Sequence, residues 1–394
     1  MEMYKLKEIA LDFQSNIVEG FRQDGMQLLC IPTYIVPKEI VDGYVLALDW
    51  GGTLFRAAIV VFSNKKPVVQ EVREILLSAK EITGFCQSDL FAKMSALIGE
   101  LKDIEKVSRI GYCFSYPTIA ESNGDATIIK FNKGIFMPDM IGRLVGESLL
   151  TYLKNSSIIK DQSINVIKVV NDTVASLFSG LSQTGFDAYI GLIVGTGTNM
   201  ACLINRSKIE KLQTVESGLI PVNLEAGNYH PQHLTIYDEM VDINSDNGGQ
   251  QRYEKAVSGM YLGRILQSVY PLLEFEEKCD GKMINTMLNY PDVYKDECVQ
   301  TAGWIYQRSA QLVSATLTGL ILTLLSHDQT IKNILLAAEG SLFWSHNRNG
   351  KDYSEMVLKN VHHLLCDFGY TDINVELYSI QNANLIGAAI AAMS

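Results

Sequence analysis

Two glycine-containing turns follow apolar runs in this chain and carry residue types suited to binding phosphate. The first is Asp49-Trp50-Gly51-Gly52-Thr53, and the second is Gly195-Thr196-Gly197-Thr198. Glycine lets backbone N–H groups approach a phosphate closely, threonine adds hydroxyl donors, and a carboxylate such as Asp49 can hold Mg2+ through water. The second turn lacks the third glycine of a dinucleotide fingerprint and the Gly-Lys pair of a P-loop. Each turn alone is equally consistent with a plain hairpin, but together they favour a site that holds a polyphosphate from two sides.

Asn171 and Asp172 stand at the carboxyl end of a predicted strand, 166–170, and directly before a helical pattern. Phosphorylation of an alcohol requires a carboxylate that accepts the hydroxyl proton as the bond to phosphorus forms. Asp and Asn are also good helix N-caps, and position alone favours that structural role. On the residues themselves, both roles stay open for this pair.

A third set of residues consists of polar side chains that lie within or beside apolar segments. A bound sugar loses water at each hydroxyl, so its site needs several buried hydrogen-bonding groups. Taken singly, most of these residues are typical of turns or surfaces, and Glu254 has the position of an exposed helical glutamate. The candidates for a sugar site are Ser115, Asn132, Lys133, Asn199, Glu225 and Glu254.

Predicted strands and helices alternate along the chain and place many of these candidates at strand ends. The run 45–48 enters the first glycine turn and 57–62 leaves it, which predicts a hairpin. The runs 188–194 and 200–204 flank the second turn in the same way. Strands interleaved with helices indicate the α/β class, and the repeated strand–hairpin plan predicts a duplicated fold with a cleft between its halves. Further strands are predicted at 109–114, 333–338 and 375–379.

The composition limits the class of protein. With 394 residues, 47% hydrophobic and 20% charged, the chain is long enough for two domains with sizeable cores. A formal net charge of −11 disfavours nucleic-acid binding, which rewards clustered lysine and arginine. None of the seven cysteines forms a C-x-x-C pair, as expected for reduced thiols in a cytosolic protein.

Neither apolar region that suggests a membrane has the full pattern of a membrane segment. The segment 312–325 is interrupted by a serine and three threonines, which favours a buried helix over a membrane span. The N-terminal residues predict an amphipathic helix without the unbroken apolar stretch of a signal peptide. We therefore expect a soluble, cytoplasmic protein with no membrane partner, and the sequence leaves its oligomeric state open.

A series of short motifs runs in a fixed order along nearly the whole chain. The motifs are Ile31-Pro-Thr-Tyr34, Leu48-Asp-Trp-Gly-Gly-Thr53, Gly111-Tyr-Cys-Phe-Ser-Tyr-Pro117, Lys133-Gly134, Val170-Asn-Asp-Thr-Val174, Gly195-Thr-Gly-Thr-Asn199, Glu225-Ala-Gly227, Tyr253-Glu-Lys255 with Ser258-Gly-Met-Tyr-Leu-Gly263, and Gly340-Ser341. No single motif is specific, but the series in this order resembles the hexokinase family of the actin-like sugar-kinase superfamily.

The resemblance implies a role for each matching residue, with a hexose and ATP as substrates and Mg2+ as the metal. Asp172 matches the family's catalytic base, and Asp49 its magnesium position, held through water. The hexose ligands it implies are Ser115, Asn132, Lys133, Asn171, Asp172, Asn199, Glu225 and Glu254. The ATP-binding residues it implies are Asp49, Gly51, Gly52, Thr53, Arg56, Gly195, Thr196, Gly197, Thr198, Gly340 and Ser341.

The implied activity is transfer of the γ-phosphoryl group of ATP to the 6-hydroxyl of a hexose, with glucose the expected sugar and glycolysis the expected context. The implied fold has two actin-like (ribonuclease H-like) α/β domains with a cleft between them. The small domain comprises residues 42–172 and 380–394, and the large domain comprises 1–41 and 173–379.

The chain departs from the family pattern at five positions. Leu54 replaces the usual Asn after Gly-Gly-Thr, Phe131-Asn132 replaces Trp-Thr, Ala226 replaces Trp, and Glu339 replaces Asp. These changes bear on hexose selectivity and turnover more than on the reaction class. Because of these changes, one alternative function stays open, a sensor that binds hexose without transferring phosphate. A second alternative is an actin-like ATPase that acts on proteins. This alternative does not explain the residues predicted to bind a sugar.

Overall fold

Strands and helices interleave along the described part of this computed structural model, which comprises residues 1–131, 134–160, 164–214, 216–272, 279–348 and 352–394. The strands are β1 (Ile31–Pro32), β2 (Gly43–Trp50), β3 (Leu54–Ser63), β4 (Lys66–Leu76), β5 (Arg109–Phe114), β6 (Thr118–Ala120), β7 (Ala126–Ile128), β8 (Ile167–Val170), β9 (Ala188–Val194), β10 (Thr198–Asn205), β11 (Leu219–Asn223), β12 (Asn333–Glu339) and β13 (Asn374–Tyr378). The helices are α1 (Met3–Arg22), α2 (Gln87–Gly99), α3 (Val145–Asn155), α4 (Asp172–Gly180), α5 (Ile236–Ile243), α6 (Arg252–Val257), α7 (Gly259–Val269), α8 (Gly281–Asn289), α9 (Asp296–His327), α10 (Tyr353–Asp367) and α11 (Ala383–Met393).

One sheet has the strand order β4-β3-β2-β5-β8 and is built around the first glycine hairpin. Strands β2 and β3 pair antiparallel, while β2, β5 and β8 run parallel to each other. Because parallel strands present their carboxyl ends at one edge, the ends of β2, β5 and β8 place Asp49, Ser115 and Asn171 on the same side of the sheet. Helices α2 and α3 share a core with this sheet.

The other sheet has the order β1-β11-β10-β9-β12-β13 and is built around the second glycine hairpin. Strands β9 and β10 pair antiparallel, and β12 runs parallel to β9. The long helix α9 lies in the core of this half. It is long and apolar enough to cross a membrane by length and composition, but 89% of its apolar window is buried inside the protein. The buried helix expected at 312–325 is therefore observed.

Helices α4 and α11 lie between the two sheets and share one apolar core with residues of both. Their backbones approach so closely that a Cβ atom on Gly387 would stand 1.8 Å from the carbonyl oxygen of Ala175. A Cβ atom on Gly111 of β5 would stand 1.9 Å from the carbonyl oxygen of Ala388. Two mixed sheets, each with a glycine hairpin, confirm the predicted α/β class and repeated plan. The exact domain limits remain a prediction.

Candidate active site

The first hairpin places Asp49 and Arg56 opposite each other on β2 and β3. The Arg56 guanidinium contacts the Asp49 carboxylate through Nη2 and donates from Nε to Oδ2 at 3.0 Å. Asp49 Oδ1 is buried and makes no hydrogen bond within the described part of the chain. A buried carboxylate oxygen without a donor suits a cation or a water molecule of its hydration shell.

The glycines of this hairpin bring a predicted sugar residue next to the predicted phosphate loop. A Cβ atom on Gly51 would stand 2.9 Å from Ser115 Oγ. Gly52 has a φ of +127°, which favours glycine, and its carbonyl accepts a hydrogen bond from Tyr116 at 3.1 Å. Thr53 follows at the exposed end of the turn. The backbone of this turn is therefore open to a ligand beside Ser115.

The second hairpin is closed by a hydrogen bond from Gly195 N to Gly197 O at 2.9 Å. Thr198 N donates to Glu254 Oε2 at 3.0 Å, and a Cβ atom on Gly197 would stand 2.6 Å from the same oxygen. A side chain at position 197 would have to displace the Glu254 carboxylate, which lies directly against the turn. A predicted sugar ligand thus contacts the predicted phosphate loop.

The Gly340-Ser341 turn lies against this second hairpin. Gly340 has a φ of +113°, and a Cβ atom there would stand 2.2 Å from the carbonyl oxygen of Val194. Gly195 also lies close to this turn, since its own Cβ atom would stand 3.2 Å from the Gly340 Cα atom. The carboxyl ends of β9 and β12 therefore bring together the two segments predicted to bind ATP on this side.

At the start of α4 the two roles proposed for Asn171 and Asp172 are divided. Asn171 is the N-cap, and its Oδ1 accepts from Val174 N at 2.8 Å. Asp172 is the first helical residue, and its Oδ1 accepts from the backbone N and the hydroxyl of Thr173 at 2.7 and 3.1 Å. The cap role favoured on position alone therefore belongs to Asn171, and the Thr173 bonds orient the half-buried Asp172 carboxylate.

Carboxylates from both sheets converge around the start of α4. Burial, followed by the negative charges of Asp49 and Asp172, raises the pKa of the Cys113 thiol. Burial also raises the pKa of Glu225; the Asn223 amide lowers it in part, and the charge of Asp172 raises it further. Asp172 therefore lies within electrostatic range of residues from both halves of the molecule.

Asn223, at the end of β11, links two predicted sugar ligands and was missed by sequence reasoning. Its Oδ1 accepts from Asn199 Nδ2 at 2.8 Å, and its Nδ2 donates to Glu225 Oε1 at 2.6 Å. Asn199 Oδ1 in turn accepts from Met200 N at 2.8 Å and Ala226 N at 3.0 Å. Glu225 adopts the left-handed conformation, with a φ of +55°. The available signal was an asparagine that interrupts an apolar strand two residues before Glu225.

Glu339 is a second group whose environment the sequence did not reveal. It ends β12 directly before Gly340 and is half-buried. Burial raises the pKa of its carboxyl to about 7, although the positive charge of Arg56 lowers it in part. Arg56 also donates to Asn382 Oδ1 at 3.4 Å, at the start of α11. Arg56 therefore lies between Asp49, Asn382 and the neighbourhood of Glu339.

The structure thus brings most of the predicted site residues together. Ser115 joins the first hairpin, Glu254 joins the second, and Asp172 lies near Glu225. A Cβ atom on Gly227 would stand 3.3 Å from the Cβ atom of Glu254, so the Glu225 segment and α6 are also adjacent. Asn132 and Lys133 lie outside the described residues.

Likeness to solved structures identifies the class of fold as that of sugar kinases. A hexokinase from Schistosoma mansoni complexed with glucose matches with a TM-score of 0.80 and 23% identity, covering 100% of this chain and 96% of that one. A ROK hexokinase from Thermus thermophilus matches with a TM-score of 0.56 and 15% identity, covering 89% and 97%. At these identities the likeness shows the fold.

The sequence places the chain within that class. Family models described as hexokinase match residues 1–181, and residues 189–286 together with 277–394. The chain belongs to the hexokinase family, and the resemblance seen in its motifs is confirmed.

Curated relatives agree with this assignment. Hexokinase-7 of Oryza sativa subsp. japonica is 32% identical over 72% of this chain, and Hexokinase-1 of Nicotiana tabacum is 31% identical over 74%. These matches span 64% and 61% of the relatives' own lengths, which is less than two thirds. Hexokinase-1 of Arabidopsis thaliana is 26% identical over 99% of this chain and 88% of its own length.

Proposed function

We propose that this protein transfers the γ-phosphoryl group of ATP to the 6-hydroxyl of a hexose, with glucose as the substrate. The observation that carries the proposal is the contact of Glu254 Oε2 with Thr198 N at 3.0 Å. It places a carboxylate suited to sugar hydroxyls directly against a glycine turn suited to phosphate. Transfer requires donor and acceptor to lie side by side, and this contact supports such an arrangement.

Asp172 is the proposed base. The 6-hydroxyl proton passes to its carboxylate as the sugar oxygen forms its bond to the γ-phosphorus and the bond to the ADP oxygen breaks. The hydrogen bonds from Thr173 support this role because they fix the direction of the carboxylate before the substrate arrives. Because Asn171 already caps α4, the helix does not require Asp172 as its N-cap.

The two hairpins and the Gly340-Ser341 turn are the proposed ATP site. Asp49 Oδ1 fits a hydrated Mg2+, since it is a buried carboxylate oxygen without a hydrogen bond in the described part of the chain. Among the described residues there is no group of three or more His, Cys, Asp or Glu that could hold a metal by itself. Phosphate oxygens and water would therefore complete the coordination of Mg2+, which neutralises phosphate charge when bound.

The proposed hexose site combines Asn199, Glu225 and Glu254 with Ser115 and Asn171, and with Asn132 and Lys133 outside the described residues. Asn223 preorganises part of it because it holds Asn199 and Glu225 at fixed distances. The solved Schistosoma mansoni hexokinase is complexed with glucose, which supports glucose as the sugar here. Carboxylates and amides in fixed positions suit a ligand with many hydroxyls.

A coupled assay of ADP release, with ATP and Mg2+ and with or without a panel of hexoses, tests the proposal. We expect ADP release to depend on hexose and to be highest with glucose. A sensor would bind glucose in calorimetry without releasing ADP, and a protein-directed ATPase would release ADP at the same rate without any sugar. Either result would replace the proposed function.

A further inference from the structure

Helix α5 buries two of its three charged residues, Asp238 and Asp242, whereas an ordinary surface helix exposes such residues. Its Asp238 and Asp242 are 3% and 5% exposed, whereas Ile236 and Ile243 are 66% and 76% exposed. Two of the cations that meet these carboxylates, Lys255 and Arg252, belong to α6. That short helix also carries Glu254.

The central pair of this network is Asp242 and Lys255. Lys255 Nζ lies 2.7 Å from Asp242 Oδ1 and also donates to the carbonyl oxygen of Asn247 at 2.9 Å. The second carboxylate oxygen, Oδ2, accepts from Gly249 N at 2.8 Å and lies 3.4 Å from Arg252 Nη1. Burial by itself raises the pKa of Asp242, but Lys255, Gly249 and Arg252 together bring it below its usual value. Asp242 is therefore ionised and fully bonded at neutral pH.

Apolar side chains of similar volume often stabilise a fold at least as well as a buried ion pair. A role other than stability is therefore worth testing for a buried pair next to a functional residue, and placement of that residue is such a role. Residues 253 and 255 flank Glu254 on α6 and both bond into the interior. The Tyr253 hydroxyl lies 2.7 Å from Thr316 Oγ1 of α9, and Lys255 reaches Asp242.

We propose that Lys255, with Asp242 and Tyr253, is a positioning residue that holds Glu254 against Thr198 and thereby sets hexose affinity. Because neighbouring side chains on a helix point about 100° apart, fixing residues 253 and 255 inward leaves Glu254 one direction, toward the second hairpin. The inference rests on the proposed function, since it takes Glu254 as a sugar ligand. Lys255 acts through Glu254 and contacts neither substrate.

A double-mutant cycle with Lys255→Met and Glu254→Gln tests the inference, because coupling between two residues appears as non-additivity. Lys255→Met should raise the glucose KM by roughly 10-fold. Complete loss of a buried charge-assisted hydrogen bond to the sugar would weaken affinity by roughly 10- to 150-fold, so the expected effect lies at the lower end of that range. In the Glu254→Gln background, Lys255→Met should change the glucose KM less than about 2-fold, as expected for one shared interaction. If the change in glucose KM in the double variant equals the product of the changes in the two single variants, the inference is overturned.

Arg308→Met is the matched control. Arg308 and Asp238 form an equally buried pair at 2.6 Å, between α9 and α5, and Arg308 lies outside α6. Both Arg308→Met and Lys255→Met should lower thermal stability, because each leaves a buried carboxylate without its cation, but Arg308→Met should leave the glucose KM at the wild-type value. A similar rise in glucose KM in both variants would mean that any loss of a buried charge has this effect. That result would contradict the positioning role of Lys255.

Tyr253→Phe keeps the test possible if Lys255→Met does not fold. It removes only the Tyr253 hydroxyl, which meets Thr316 and also Thr198 of the second hairpin. It should raise the glucose KM by about 2- to 10-fold, as the loss of one neutral hydrogen bond implies. The same cycle with Glu254→Gln should again be non-additive, and additivity would again overturn the inference. A wild-type protein whose ADP release is unaffected by every hexose would instead remove the proposed function, and the inference with it.

Discussion

At the scale of the residue, the start of α4 separates two functions that the sequence left together. Asn171 caps the helix, and Asp172 is directed by Thr173. A substitution at Asp172 therefore tests chemistry with little risk to folding.

Asp172→Asn should lower kcat by about 10²- to 10⁴-fold, the range expected when a general base is removed. Glucose binding, measured by calorimetry, should weaken far less, because the other sugar ligands remain. The melting temperature should stay near the wild-type value, since Asn171 still caps the helix. Turnover close to wild type in this variant would exclude Asp172 as the base.

Glu339 provides a test of pH dependence. Burial raises its pKa in the folded protein to about 7, from about 4.5 in the unfolded chain. Between about pH 4.5 and about pH 7, the Glu339 carboxyl is protonated in the folded state and ionised in the unfolded state. The stability supplied by protonated Glu339 therefore falls as pH rises to about 7. Above about pH 7 this contribution is gone and no longer changes.

The variant Glu339→Gln removes this titration. The melting temperature of Glu339→Gln minus that of wild type should increase as pH rises from 5 to 7. From pH 7 to pH 8 this difference should stay constant. Glu376→Gln, an exposed carboxylate on the neighbouring strand β13, serves as the control and should follow the wild-type pH profile. A parallel pH profile for Glu339→Gln would show that Glu339 is ionised throughout this range.

At the scale of the element, the two glycine hairpins are similar in sequence but differ in their contacts. Gly52 needs a positive φ and lies next to exposed turn residues. Gly197 lies against Glu254, so a side chain there would have to displace the Glu254 carboxylate. In the proposed function, Gly52 therefore belongs to the nucleotide side, whereas Gly197 also borders the sugar side through Glu254. The first hairpin meets a proposed sugar ligand at Gly51, which lies against Ser115.

Valine at these two glycines should have different effects. Gly52→Val should raise the KM for ATP and lower turnover, since a side chain blocks the approach of backbone to phosphate, and should leave glucose binding without nucleotide unchanged. Gly197→Val should raise the KM for ATP and also weaken glucose binding, because the side chain displaces Glu254. Calorimetry with glucose alone distinguishes the two variants, and unchanged ATP kinetics in both would disprove the phosphate role of the hairpins.

The sequence predicted the hairpins well because glycine pairs between apolar strands have few alternative structures. It predicted the surroundings of Glu254 poorly, since charged residues such as Asp242 and Lys255 in a helical pattern normally indicate a solvent-exposed face. Asn223 was missed for a related reason. Its role depends on pairing between β10 and β11, which brings Ala201 opposite Asn223, and register between strands is not readable from a single segment.

At the scale of the whole molecule, α11 joins the two halves. It packs against β5 through Gly111 and against α4 through Gly387, and α4 begins with the proposed base. Among the described elements after α4, α11 packs extensively on the first sheet, against β2, β3, β5 and β8. The resemblance to hexokinases was needed to predict that residues 380–394 belong to the small domain. Periodicity alone predicts a small-residue helix without saying where it packs.

The close packing of α11 leads to opposite predictions for two helical glycines. A Cβ atom on Gly387 would stand 1.8 Å from the Ala175 carbonyl oxygen, so Gly387→Ala forces α11 and α4 apart and should cost about 1–3 kcal/mol of stability. Gly303 in α9 has its nearest neighbour at 3.7 Å, so Gly303→Ala should stabilise by about 0.4–1 kcal/mol through reduced freedom of the unfolded chain. Melting temperatures measured side by side should therefore move in opposite directions.

Because α4 carries Asp172, Gly387→Ala should also lower kcat at a temperature where the variant is fully folded, whereas Gly303→Ala should not. A Gly387→Ala protein with wild-type stability and turnover would show that the two halves are not held together through this contact.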